Sequence, residues 1–362
     1  AFGMPQALRR QSFDALAAVS GEAAARAVLA PLPASWQAQV AHVETWCAQP
    51  DNALVTLADP AYPPALLAMP DPPPLLYVKG RLELLHASAI ALVGSRNATP
   101  QGLEDARHFA RALATAGLVV VSGLALGIDA AAHHGALSVR GRTVAVIGTG
   151  IDIVYPAAHR ELAHRIAADG ALVSEWPLGT PARPSHFPQR NRLIAGLVRG
   201  VLIVEAALRS GSLITARLAN EMGRDVFALP GSIHSPLSRG CHRLIKEGAR
   251  LTEQPEEILE ELGLGSTTRP HTVPTARHLG SSPASAPAAA PDAGVASPWA
   301  QDSPAARVIA ALGHAPATLE VLARRTDMDG AALQAALLEL ELTGHVNALP
   351  GGRFARTALR GG

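Results

Sequence analysis

From Ala89 onward, short apolar runs alternate with amphipathic stretches, and this alternation restricts the fold more than any other feature. The runs read AIALVG, LVVVSG, TVAVIG, ALVSE, VLIVE and DVFALPG. Between them, apolar spacing predicts helices near 102–116, 129–139, 159–169, 191–199 and 212–222. Wholly apolar strands that alternate with helices are typical of parallel sheets covered on both faces. The predicted fold class is therefore α/β, with a doubly wound, mainly parallel sheet.

Changes in composition divide the chain into four parts. Residues 1–50 are Ala-rich with helical spacing and predict a small N-terminal helical domain. The sheet domain is expected over 51–262, and its proline-rich first segment, up to Gly80, predicts an extended connector. A Pro/Ala/Ser tract over 263–303 is expected to be a flexible linker. Three helical stretches and a Gly-Gly hairpin over 304–357 form the pattern of a winged-helix-like domain.

Composition excludes several classes of protein. The formal net charge is only +1, which excludes a densely basic polyelectrolyte but still allows a local basic groove. No stretch approaches the roughly 18 uninterrupted apolar residues of a membrane span, and no signal peptide is visible, so a cytoplasmic protein is expected. Cys47 and Cys241 lack metal-site or redox spacing, so two reduced thiols are expected.

Two loops at the carboxyl ends of predicted strands have the composition of anion sites, and ligands of doubly wound sheets bind at that edge. The first strand leads into Gly94-Ser95-Arg96, which offers backbone N–H groups and a bidentate phosphate donor. An ordinary turn with a solvated arginine explains this tripeptide equally well. The fifth strand leads into Arg209 and then Ser210, Gly211 and Ser212, a second candidate cradle. Several such loops along one edge favour an extended polyanion over a mononucleotide.

The segment SHFPQRNRLIAG combines cations with one of only 6 phenylalanines. Arg190 and Arg192 flank Asn191, which is expected to cap the helix that RLIAGL begins. Cations that track phosphates beside a ring that stacks on a base suit single-stranded nucleic acid, and Phe187 is the candidate ring. The alternative is that Phe187 is core and the arginines pair with acids elsewhere, although no acid lies between Arg183 and Arg199.

The glycine-rich loops do not match a nucleotide-cofactor fingerprint. In SGLALGID, Ala125 replaces the second glycine, and in GTGIDIVYP the third glycine is replaced by Ile153. No Walker A loop is present, and no cofactor is expected. His133 and His134 are adjacent and cannot face one metal from one helix, so neither a metal site nor a catalytic residue is expected.

Six strings, in order over about residues 52–262, resemble the DNA-processing protein A family, also called Smf or DprA. They are VGSRNATPQG, VSGLALGIDAAAH, GTGIDIVYPAAHREL, SEWPLGTPARPSHFPQRNRLIAGL, VEAALRSGSLITARLANEMGRDVFALPG and GCHRLIKEGA. The tail is similar to the winged-helix-like domain of this family. AFGMPQAL resembles the middle of its N-terminal domain of SAM or helix-hairpin-helix type, so the first helices of that domain are expected to be missing.

The resemblance implies a Rossmann-like sheet and a cytosolic, non-enzymatic mediator of recombination. Such a protein binds incoming single-stranded DNA during natural transformation, shields it and loads the RecA recombinase. The resemblance also implies a homodimer formed through the Rossmann-like domain.

Carried over by position, Ser95 and Arg96 match the family's phosphate contact, and Phe187 matches its base-contacting aromatic. A lysine that some members have three positions before the aromatic is Pro184 here, and Arg183 or His186 is expected to replace it. The segment from Gly240 to Leu251 is expected to contact DNA or to form the dimer. The DNA-binding set expected is Ser95, Arg96, Gly123, Arg183, Phe187, Arg190, Asn191, Arg192, Ser210, Gly211, Ser212 and Lys246.

Two other functions compete with this reading. One is a Rossmann-like nucleotide hydrolase resembling the cytokinin-activating phosphoribohydrolases, in which Glu205 would act. Their P-G-G-x-G-T-x-x-E loop is RSGSLITA here, without the double glycine or the following glutamate. The other is a duplex-DNA regulator that uses the winged helix. Its recognition helix, DGAALQAALLELELTGHV, has no Lys or Arg, which favours protein contact or domain packing.

Overall fold

The structure is a computed structural model that describes residues 5–140, 142–264, 303–313, 316–349 and 351–357. Residues 265–302 of the predicted linker therefore lie outside the described residues. Before the sheet lie four helices, α1 (Pro5–Leu8), α2 (Phe13–Ser20), α3 (Glu22–Leu29) and α4 (Trp36–Cys47). No helix in the described ranges has both the length and the apolarity needed to cross a bilayer.

Nine strands of the described residues form the main sheet. They are β1 (Asn52–Thr56), β2 (Leu75–Gly80), β3 (Ala89–Val93), β4 (Val119–Ser122), β5 (Thr143–Val146), β6 (Ala171–Ser174), β7 (Gly200–Ile203), β8 (Asp225–Ala228) and β9 (Arg250–Leu251). Their order in the sheet is β1-β2-β6-β5-β4-β3-β7-β8-β9. All neighbours from β6 to β9 are parallel, whereas β1–β2 and β2–β6 are antiparallel. The six predicted strands and the doubly wound α/β class are confirmed.

The predicted extended connector is wrong, because LLYVKG is strand β2 and pairs with β6 with Tyr77 opposite Ser174. The prolines at 72–74 come before this strand and do not interrupt its ladder. Leu76, Tyr77 and Val78 are buried, so the strand contributes directly to the core.

Eight helices accompany the sheet. They are α5 (Pro64–Leu67), α6 (Pro100–Thr115), α7 (Ile128–Leu137), α8 (Arg160–Asp169), α9 (His186–Gly196), α10 (Ser212–Glu221), α11 (Arg239–Lys246) and α12 (Pro255–Glu261). Four of the five predicted helices match within two residues at each end, and α9 is the exception.

Helix α9 begins at His186, five residues before the predicted start at Asn191. Pro188 lies in its first turn, where a missing N–H breaks no intrahelical hydrogen bond. Asn191 is therefore inside the helix, and its predicted role as N-cap is wrong. The helix instead carries the whole segment from Phe187 to Asn191 on one rigid element.

Both faces of the parallel sheet are buried. Val93, Val121 and Ile203 pack in one apolar cluster, whereas Leu92 and Val120, the residues before two of them, pack in another. Since alternate side chains of each strand enter opposite clusters, polar groups can gather only at the strand ends.

The tail folds as a winged helix around its own apolar cluster, which includes Leu322, Leu333 and Leu340. Its elements are α13 (Pro304–Leu312), β10 (Ala317–Thr318), α14 (Leu319–Thr326), α15 (Gly330–Leu342), β11 (Val346–Leu349) and β12 (Arg353–Arg356). The three strands have the order β10-β12-β11. The three predicted helices and the hairpin are confirmed.

An arginine of α14 attaches the tail to the sheet domain. The Arg325 Nε and Nη2 atoms donate to the two carboxylate oxygens of Glu104, at 3.2 and 2.9 Å. Nη2 also donates to Gln101, at 2.9 Å, and Nη1 donates to the Ala311 carbonyl oxygen, at 3.0 Å. The Arg325 side chain is only 8% exposed, so this fork is shielded from solvent.

We predict that Arg325→Ala releases the tail from α6, which small-angle scattering would detect as a larger radius of gyration. Arg324→Ala is the matched control, because Arg324 is 72% exposed and lies 4.0 Å from Glu104. The hydrogen bond from Arg325 holds the pKa of Glu104 below its ordinary 4.5. The contact should therefore persist above pH 4.5 and be lost as the pH falls through that lowered value. Equal scattering from the two variants at neutral pH would contradict this role.

Candidate functional site

A cavity of about 600 Å³ lies at the carboxyl edge of the sheet, between β3 and β7. The strands that follow β3 in the chain, β4 to β6, lie on one side of it, and β7 to β9 lie on the other. This reversal of strand order is the place where doubly wound sheets bind ligands. The cavity is lined by the loops after β3, β4 and β7, by Tyr155 from the loop after β5, and by residues at the starts of α7 and α9.

The loop after β3 is held rigidly by its backbone. The N–H of Ser95 donates to the Glu205 carbonyl oxygen at 2.7 Å, and the Ser95 carbonyl oxygen accepts from Ile128 at 3.1 Å. A side chain at Gly127, where φ is +77°, would collide with that same Ser95 carbonyl group. Arg96 is exposed at the cavity wall and forms no ion pair with any described residue. Its charge is therefore available to a ligand.

One part of the cavity lining is a row formed by a cation and two aromatic rings. The Arg96 guanidinium carbon lies 5.4 Å from the centre of the Phe187 ring, a cation–π distance. The Phe187 ring in turn contacts the Tyr155 ring. The two ring centres are 5.6 Å apart, and the ring planes are tilted by 40°. Sequence reasoning missed Tyr155, although it ends the loop GTGIDIVY, which follows the third predicted strand at this same edge.

Arg190 is buried at the cavity and is held by backbone and amide oxygens. Its Nη2 donates to the Gly123 carbonyl oxygen at 2.7 Å, and its Nη1 donates to Asn191 Oδ1 at 2.9 Å. Its Nε has no hydrogen-bond partner among the described residues. Burial lowers the pKa of Arg190 to about 10, against the opposing effect of the Asp129 carboxylate, so the side chain is a cation at neutral pH.

The loop after β7 brings small hydroxyl groups to the first turn of α10. The hydroxyl oxygens of Ser210 and Ser212 are 2.7 Å apart, and both residues line the cavity with Gly211. Asn191 Nδ2 donates to the Gly211 carbonyl oxygen at 3.4 Å and so links α9 to this loop. The N–H groups at the start of a helix and its dipole favour an anion there. Arg209, which is exposed, adds a cation to the same wall.

Glu205 connects β7 with the start of α6 and does not line the cavity. Its carboxylate accepts from the Thr99 N–H at 2.9 Å and from the Thr99 hydroxyl at 2.6 Å. Burial raises the pKa of Glu205. A side chain at Gly102 would collide with this carboxylate, which shows how closely α6 packs on it. Both carboxylate oxygens of Glu205 therefore accept hydrogen bonds from within the fold.

The phosphate contact expected of Arg192 is not supported, because the structure places this residue outside the cavity lining. Its guanidinium forms an ion pair with Glu175 and donates to the Asp71 carbonyl oxygen at 2.7 Å. The acids are distant in sequence, so the absence of a local acid gave no sign of them. For Arg192, the structure therefore agrees with the alternative that the arginines pair with acids elsewhere in the chain.

The remaining expected residues are not all brought together. Arg183 and Lys246 are exposed but do not line the cavity. His186 is buried and stacked on Trp176, with ring centres 3.7 Å apart, so it cannot replace the missing lysine at Pro184. Gly123 supports Arg190 from beneath, since a side chain there would collide with the guanidinium. Eight of the expected residues do line one cavity, namely Ser95, Arg96, Phe187, Arg190, Asn191, Ser210, Gly211 and Ser212.

His133 and Cys241 are both packed in the interior. His133 is buried, its Nδ1 lies 2.8 Å from the Thr143 hydroxyl, and burial lowers its pKa to about 3. Burial raises the pKa of the Cys241 thiol to about 12, which makes it unreactive. Within the described residues no three metal-ligating side chains form a group.

The fold is a doubly wound α/β sheet with a cationic cavity at its switch point and an attached winged helix. The family model described as DNA recombination-mediator protein A matches residues 53–263, and the DprA winged helix domain matches residues 282–352. The chain therefore belongs to the DNA recombination-mediator protein A family.

Individual relatives agree with this assignment. Protein Smf of Escherichia coli K12 is 44% identical over 310 residues, which cover 85% of this chain and 78% of that protein. The X-ray structure of DNA processing protein A from Streptococcus pneumoniae has a TM-score of 0.61 at 42% identity and covers 70% of this chain and 87% of its own. A Helicobacter pylori DNA processing protein A, solved for its single-stranded DNA binding mode, has a TM-score of 0.53 at 32% identity, covering 58% and 95%.

We predict that Gly123→Ala destabilises the protein and displaces Arg190, because the new methyl group meets the buried guanidinium. Overpacking of this kind costs about 1–3 kcal/mol. Gly211→Ala is the matched control, since nothing lies within 4 Å of its Cβ position and its φ of −61° suits any residue. It should change the free energy of unfolding by less than about 0.5 kcal/mol. Urea unfolding of both variants tests this, and equal effects would contradict the described packing of Arg190.

Proposed function

We propose that the protein is a non-enzymatic recombination mediator that binds single-stranded DNA in the cavity between β3 and β7. The observation that carries this proposal is the row formed by Arg96 and Phe187 beside the fixed Ser95 loop. An unpaired cation next to an accessible ring matches the two halves of a nucleotide, its phosphate and its base. The Helicobacter pylori relative, described by its single-stranded DNA binding mode, supports the same ligand.

The phosphates are assigned to the cationic and amide groups of the cavity. Arg96 and Arg209 are exposed and reach toward solvent, whereas Arg190 is a buried cation whose Nε has no partner among the described residues. The Ser95 loop and the first turn of α10 add hydroxyl and backbone N–H donors. Because these contacts go to the sugar-phosphate backbone of the DNA strand, binding is largely independent of the DNA sequence.

A base is assigned to Phe187. The ring is partly exposed at the cavity wall, and every base presents a π-face that can stack on it. In a duplex the faces of the bases are covered by stacking on neighbouring bases, so this contact favours single strands. Asn191 is assigned to hold the α10 loop through Gly211, and Arg192 to hold α9 through Glu175.

The cellular role proposed is the one that the family resemblance implies. The protein would act in the cytoplasm, shield incoming strands during natural transformation and load the RecA recombinase. It would work as a homodimer, and the segment from Gly240 to Leu251 is the surface we assign to that contact. It ends in β9, a two-residue edge strand on which Leu251 is 46% exposed, an apolar side chain that a partner subunit could cover. Lys246 belongs to this surface in our proposal.

The nucleotide hydrolase alternative is disfavoured by the contacts of Glu205. A general acid or base needs a free carboxylate beside the substrate, whereas both Glu205 oxygens bond to Thr99. Release of free base from nucleoside monophosphates, lost in Glu205→Gln, would revive this alternative. The duplex-binding alternative has no cationic side chain on α15 to support it.

We predict that affinity for oligo-dT falls steeply with salt, because phosphate neutralisation releases counterions. Arg96→Ala should weaken binding about tenfold and flatten the slope of log K against log salt by about 0.7, the value for one phosphate of a single strand. The matched control is Arg111→Ala, which removes the same charge from an exposed position on α6. This variant should bind as the wild type does. Fluorescence anisotropy at several salt concentrations measures both quantities.

Duplex DNA of equal length should compete weakly in the same titration. Affinity that is indifferent to salt, or equal losses in the Arg96 and Arg111 variants, would contradict the proposed site.

A further inference from the structure

We infer that Tyr155 is a second base-stacking ring, which acts beside Phe187 in binding a single strand. The inference rests on the proposed function and deepens it, because it names the side chain that offers most of the open aromatic surface. The loop that carries Tyr155 follows β5, so a fourth strand end contributes to the cavity, beside those of β3, β4 and β7.

Tyr155 is more accessible than Phe187. Its side chain belongs to the exposed large apolar residues, with a relative exposure of 50%. Phe187 is partly covered by the protein, with Arg96 over its ring and the Gly148 backbone so close that a Cβ there would lie 3.2 Å from the ring. A base that approaches the cavity therefore meets more free ring surface on Tyr155.

The exposure of Tyr155 also has no explanation within the described fold. Of the large apolar side chains that are exposed in the described ranges, it is the one that lines this cavity. The ring packs on Phe187 at a tilt of 40°, and half of its surface stays open to solvent.

Cation and rings are contiguous, which matters for a nucleotide ligand. Phe187 lies 5.4 Å from the Arg96 guanidinium and 5.6 Å from the Tyr155 ring, on the same cavity wall. A strand held by Arg96 through a phosphate thus has two rings available to successive bases. Stacking tolerates any base, so the second ring adds affinity without adding sequence preference.

The test compares Tyr155→Ala and Tyr155→Phe in the full chain. Two probes are used, a labelled oligo-dT and an abasic deoxyribose-phosphate oligomer with the same number of phosphates. Tyr155→Ala should weaken oligo-dT binding about fivefold or more, the ratio that corresponds to the lower end of measured stacking losses. Tyr155→Phe keeps the ring and should stay within about twofold of the wild type. The abasic oligomer should bind the wild type and both variants equally, because it has no base to stack.

A second readout does not depend on removing the ring. Tyr155→Trp places a fluorophore at this position, and oligo-dT should quench its added emission, whereas the abasic oligomer should not. Undiminished oligo-dT binding by Tyr155→Ala overturns the inference, as does an equal loss of affinity for both probes. Absence of quenching in a Tyr155→Trp protein that binds oligo-dT also overturns it.

The two proposals fail in different ways. If the wild type binds oligo-dT with the expected salt dependence and Tyr155→Ala is unchanged, only the inference about Tyr155 falls. If the wild type does not bind oligo-dT, the proposed function falls and this inference falls with it.

Discussion

The burial of both sheet faces is the constraint on which the rest of this structure depends. Strands β3, β4, β5, β6 and β7 are buried along their whole length, so no polar side chain can reach solvent from within them. Chemistry is confined to the loops at the strand ends. At the carboxyl edge, the reversal of strand order between β3 and β7 opens a gap that helices do not fill. The cavity, its cations and its rings all follow from that gap.

Arg190 shows how the fold maintains a charge in this gap. A buried cation is costly unless oxygens surround it. Here the Gly123 carbonyl oxygen, the Asn191 side chain and the nearby Asp129 carboxylate supply them, and Asp129 is itself fixed by the N–H groups of Gly123 and Ala125. Gly123 must be glycine because the guanidinium occupies the space of its side chain. The loop after β4 thus supports the cation, because Gly123, which was expected to contact DNA, supplies its carbonyl oxygen to Arg190.

Much of this could be predicted from the sequence, because the signals involved are local. Wholly apolar strands, and the loops that end them, can be recognised from short stretches of sequence. The Ser95 and Ser210 loops were recognised in this way. The part that could not be predicted depends on distant partners. Arg192 pairs with residues 17 and 121 positions away, and β2 joins the sheet only because β6 accepts it. The position of Tyr155 after the third predicted strand indicated this edge of the sheet, but its contact with Phe187, which lies far along the chain, could not be predicted.

A structure of the protein with a bound oligo-dT is the most direct test of the central claim. We predict a DNA strand along the carboxyl edge of the sheet, with a phosphate within hydrogen-bond distance of Arg96 and a base against the Phe187 ring. A strand bound elsewhere, for example on the winged helix, with the cavity between β3 and β7 free of DNA, would contradict it.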